Sequence, residues 1–94
     1  MDDILRLIER ARFGDKTATQ SIIESLRDQI TALTELCGSL GWHMADVFDA
    51  VSHAISIAIE TFDLESQRSF SEYAEECMVR MIRRRLSSES SLSN

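Results

Sequence analysis

Proline is absent from this 94-residue chain, and glycine occurs three times, at positions 14, 38 and 41. Tight hairpins and β-turns draw on these residues for their positive or fixed φ, so a sheet-rich fold has almost nothing to turn with. Apolar residues instead recur at spacings of three and four, the period of an amphipathic helix. Hydrophobic residues make up 44% and charged residues 28%, which places the chain in the globular range and outside the high-charge regime of disorder. A chain this short supports one core and one domain.

Four helical segments are expected. Residues 2–13 align Ile4, Leu5, Leu7, Ile8 and Ala11 on one side, and Gly14-Asp15 ends them. From Thr17 to Leu40 a second stripe comprises Ile22, Ile23, Leu26, Ile30, Leu33, Leu36, Cys37 and Leu40, with Gly38 and Gly41 set to end it. The third, Met44 to Phe62, has the widest stripe: Val47, Phe48, Val51, Ala54, Ile55, Ala58, Ile59 and Phe62. After the connection DLESQR, Ser69 and Glu72 stand at capping-box spacing before a fourth helix to about Leu86. Its inward side would be Phe70, Tyr73, Ala74, Cys77, Met78, Met81 and Ile82. The expected fold is therefore all-α, a compact bundle of about four helices over residues 1–86, with a mobile Ser-rich tail at 87–94.

Charge is distributed unevenly. The net charge is −6, yet Arg80, Arg83, Arg84 and Arg85 crowd into six positions, and without them six basic groups face 16 acidic ones. An acidic body with one basic strip is not a protein that coats nucleic acid unaided. No apolar run approaches the roughly 20 residues of a membrane span, and the acidic opening MDDILRLIER lacks a signal peptide's basic start. The expected location is cytoplasmic, with Cys37 and Cys77 as reduced, buried thiols on helical stripes.

Catalytic chemistry has little to start from. Nothing pairs His43 or His53 with a cysteine nucleophile, and no nucleophile-elbow, P-loop or dinucleotide glycine motif occurs. Asp46, Asp49 and His53 share a helical side, but without the doubled His or Cys spacing of a zinc site they read as a hydrated polar face. No enzyme activity, metal or cofactor is expected.

The run ADVFDAVSHAISIAIETFDLES, followed closely by RSFSEYAEECMVRMIRRRL, resembles region two of the bacterial sigma factors, which recruit RNA polymerase to promoters. The matching positions are Asp46, Val47, Asp49, Ile55, Ala58, Ile59, Phe62 and Asp63, then Phe70, Ser71, Tyr73, Ala74, Ile82, Arg83, Arg84 and Leu86. The phrase ARFGDKTATQSIIESLRDQI is similar to the family's opening, in which a G-D-x-x-A turn links two helices, so the likeness spans about residues 2–86. Helical stripes alone do not account for Phe62-Asp63, the connection length and Phe70-Ser71-x-Tyr73-Ala74 in that order.

The resemblance implies a sigma-region-two-like fold with a division of labour. The third helix's outer side, at Asp46, Asp49, Ala50, Ser52 and Ser56, would dock on the clamp coiled coil of the polymerase's largest subunit. The fourth helix, through Phe70, Tyr73, Arg80, Arg83 and Arg84, would face promoter DNA, the aromatics as base platforms and the arginines on phosphates or guanine edges. Three departures accompany the matches. Glu76 and Cys77 stand where housekeeping members carry paired tryptophans, Glu75 and Glu76 repel phosphate, and Val51 and Ala54 replace glycines of the docking helix. No helix-turn-helix for the upstream promoter element follows, so a separate protein would supply that contact. The alternatives are a sigma mimic that binds polymerase, or an anti-sigma-type regulator, without DNA, and a helical dimerisation or scaffold module.

Overall fold

In the computed structural model the described residues are 3–92, with side chains described through Arg85. Among them are five helices and no strand: α1 (Asp3–Arg12), α2 (Lys16–Ser25), α3 (Arg27–Ser39), α4 (Met44–Thr61) and α5 (Phe70–Leu92). The protein is all-helical, and no described helix is long and apolar enough to cross a membrane. The backbone of α5 continues to Leu92, past the helix end expected at about Leu86 and into the expected tail; the side chains of 86–92, and residues 93–94 altogether, lie outside the described residues.

The expected helix from Thr17 to Leu40 is two helices. Ser25 Oγ donates to the Ile22 carbonyl at 2.6 Å, the acceptor a continuous helix would give to the Leu26 N–H. That N–H turns to the Ile23 carbonyl at 3.0 Å, and Leu26, at φ −101° and ψ 7°, leaves the helical path with its side chain 1% exposed. The break rotates the α3 stripe relative to that of α2. Ile22, Leu26 and Cys37 reach the core, while Ile23, Leu36 and Leu40, expected inside, are exposed. Phe48 on α4 is likewise 53% exposed rather than part of the buried stripe.

The α1–α2 corner needs Gly14, whose φ of +92° suits a residue without Cβ. Asp15 then caps α2, its Oδ1 accepting from the backbone N–H groups of Thr17 at 3.0 Å and Ala18 at 3.2 Å. Its Oδ2 takes Arg10 Nε at 2.8 Å, and the Arg10 guanidinium, followed by the Ala18 N–H, holds this carboxyl below the usual carboxylate range. A carboxyl depressed in the folded state contributes stability above its unfolded pKa, and that contribution disappears as pH falls through the folded value. Asp15→Asn retains a cap without the charge. Thermal unfolding is therefore expected to show the variant below the parent near pH 7, with the gap narrowing as pH falls below the ordinary carboxylate range; a gap that does not change with pH would contradict the assignment.

Helix α4 is the centre of the core, with Val47, Ala50, Val51, Ala54, Ile55, Ala58 and Ile59 buried. Helix α5 runs back along it: Thr61 meets Tyr73 near the loop, and Asp49 meets Arg85 at the far end. The alanine row Ala50, Ala54 and Ala58, with Ala74 of α5, is at most 1% exposed, and methyl-sized side chains let the two helices approach closely. Helix α3 packs on α4, and α1 bridges α2 and α4. Arg12 secures the last of these, donating Nε to the Ile59 carbonyl at 2.7 Å and a second N–H to the Phe62 carbonyl. Ser69 Oγ accepts the Glu72 N–H at 3.1 Å, so the capping residue read from sequence starts α5. Cys37 and Cys77 are buried and unbonded to each other.

Candidate functional site

The outward side of α4 carries Asp49, Ser52, His53 and Ser56 exposed, with Asp46 half-buried at its margin. Helical spacing places them together because the opposite side is committed to the core. Ala50 does not join them: it is 1% exposed and belongs to the alanine row, so the expected contact through it is corrected. Asp49 has a partner of its own, Arg85 on α5, at 2.5 Å. Spacing within either helix could not reveal this pair, which spans 36 positions and exists because α5 returns antiparallel.

The four-arginine run of α5 divides accordingly. Arg85 is taken by Asp49, whereas Arg80, Arg83 and Arg84 are exposed and have no ion-pair partner among the described residues. These three, with Glu75, Glu76 and Val79, line a shallow depression along the helix's outer side. Arg80 and Arg84 also border a smaller cleft of about 130 Å³ against Ala54, Ile57, Cys77 and Met81, at the α4–α5 seam. Glu76 is bound to Arg68 at 2.5 Å, and that carboxylate raises the basicity of the Arg68 guanidinium.

Of the two aromatic positions that the resemblance turns towards DNA, Phe70 is buried and Tyr73 half-buried. Phe70 is 3% exposed and meets Phe62 edge-to-face, with centroids 5.3 Å apart and planes at 85°. A ring so enclosed presents no face to a nucleobase, so its expected role as a stacking platform is corrected to a core role. Tyr73 is half-buried, its ring 5.4 Å from that of Phe62 and its hydroxyl 2.6 Å from Thr61 Oγ1. The cross-helix bond between Gln29 and Ser71, like the Arg12 cap, joins residues far apart in sequence and left no signal in spacing.

Among the described residues no three His, Cys, Asp or Glu side chains gather in a metal-holding group, and no side-chain nitrogen or oxygen is buried without a partner. Asp46, Asp49 and His53 lie on the outward side of α4, where Asp49 meets Arg85 of α5. Among the described residues, fold and surface define a five-helix bundle with an exposed polar side on α4. No known family, curated protein or solved structure matches the chain.

Proposed function

We propose that this protein is a sigma-region-two-like docking module that binds the clamp coiled coil of RNA polymerase's largest subunit through the outer side of α4. The supporting observation is Asp49, an exposed carboxylate on the outer side of α4 that already accepts a guanidinium, that of Arg85, at 2.5 Å. An arginine on a partner helix would meet the same group, with Asp46 beside it and Ser52 and Ser56 allowing close approach. Charges at such a rim govern orientation and encounter rate.

In this reading, contact with promoter DNA passes through Arg80, Arg83 and Arg84 to phosphates, since Phe70 is enclosed. The neighbouring Glu75 and Glu76 favour a second reading, docking without DNA, as a sigma mimic would do.

The test is titration of the protein against the isolated clamp coiled coil. Saturable binding in the micromolar range is expected, and Asp49→Arg and Asp46→Arg are each expected to weaken it about tenfold or more by setting like charges together. The folds of both variants should survive, because the Asp49 ion pair is exposed and contributes about 0.2–1 kcal/mol, and the Asp46 side chain has no hydrogen bond or ion pair among the described residues. Absence of binding by a folded sample, or binding indifferent to both reversals, would remove the docking assignment.

A further inference from the structure

The outer side of α5 changes sign along its length. Glu72, Glu75 and Glu76 occupy its first two turns, Arg80, Arg83 and Arg84 the turns that follow, and all six are exposed. Val79, half-buried, stands at the changeover. Arg68 holds one oxygen of Glu76, while Glu75 and the three arginines have no ion-pair partner among the described residues.

A uniformly charged partner fits this side poorly. Four residues of helix span about 6 Å, less than the Debye length of about 8 Å at physiological ionic strength, so an anion placed on Arg80 also feels Glu76. Phosphodiesters and acidic peptides gain at one half and lose at the other. The matching surface is another helix whose charge order is reversed, and this chain supplies one. Two copies of α5 side by side and parallel set glutamates on glutamates and arginines on arginines. Side by side and antiparallel, each acidic half lies against the other's arginine half, with the two Val79 residues near the twofold axis.

We propose that this protein self-associates through the outer side of α5, as an antiparallel, isologous dimer held by reciprocal Glu–Arg contacts. The interface is small and mostly polar, so the dimer is weak and salt-sensitive. It uses α5 rather than α4 and stands apart from the docking reading. It also covers the arginines that would contact DNA, so dimerisation and phosphate binding exclude one another.

Sedimentation at high protein concentration tests this directly. A dimer is expected at roughly 0.01 M salt, where the Debye length is about 30 Å, and a monomer at roughly 1 M, where it is about 3 Å. Glu75→Arg with Glu76→Arg makes the side basic except at Glu72, and Arg83→Glu with Arg84→Glu makes it acidic except at Arg80; each variant alone should be monomeric. Mixed in equal amounts, the two should form a heterodimer. All four positions are exposed, and circular dichroism confirms that helix content is kept. Under oxidant, Val79→Cys should cross-link to its own copy faster than Glu72→Cys, whereas a parallel pair would cross-link both. A monomer at every concentration in low salt, a dimer indifferent to the reversals, or a mixture that stays monomeric would overturn the proposal. A monomer whose arginine variants lose only DNA affinity would overturn it in favour of nucleic-acid contact.

Discussion

Phe70→Ala is expected to lower the free energy of unfolding by about 4 kcal/mol, within the range for emptying a buried phenylalanine site. The ring is 3% exposed and sits edge-on to Phe62, which in turn contacts Tyr73. Its removal takes the edge-to-face partner from Phe62 and opens a cavity at the first residue of α5, where the returning helix is anchored. Domains of this size unfold at about 5–15 kcal/mol, so the loss is a large share of the whole. Denaturant unfolding followed by circular dichroism measures it. The same experiment separates two roles for the residue. A base platform on the surface would cost little stability when truncated, so a loss below about 1 kcal/mol with DNA binding abolished would restore the platform role.

Arg12→Ala follows, with an expected loss of about 2 kcal/mol, the scale of hydrogen bonds that involve a charged group. The carbonyls at the end of α4 have no N–H partners of their own within the helix, and Arg12 reaches across from α1 to the Ile59 and Phe62 carbonyls. The guanidinium also places positive charge at the negative end of the helix dipole. Arg12→Lys keeps the charge but has no planar fork to span two carbonyls, and should recover less than half of the loss. Amide exchange offers a local reading, since protection in the last turn of α4 should fall more than protection in its middle. If Arg12→Ala behaved as an ordinary surface change, within about 0.5 kcal/mol, the contact would carry no structural weight.

These two residues illustrate what is legible in a sequence of this kind. Phe70 was readable as an inward residue of a helical stripe, and burial agrees; the sigma-like pattern, which carries a role rather than a position, pointed its ring towards DNA. Arg12 was unreadable, since a side chain that caps a helix some 50 positions away leaves no periodic trace. The outward side of α4 was legible at four of the five positions because the helical repeat places 46, 49, 52 and 56 together. Ala50 was misplaced because it lies at the edge of that arc, and which way an edge residue turns depends on the neighbouring helix.

Local chemistry by itself determined the helical class, the start of α5 at Ser69, the corner at Gly14-Asp15 and the separation of charge along α5, because each depends on residues within a turn or two of one another. Tertiary structure decided the rest. The division of the expected helix 17–40 at Leu26 came from the core's hold on that side chain together with the Ser25 hydroxyl bond. Packing between the helices left Leu36, Leu40 and Phe48 outside and took Ala50 inside. Helical spacing defines which residues share a side, whereas the sides that meet are set by packing between helices distant in sequence.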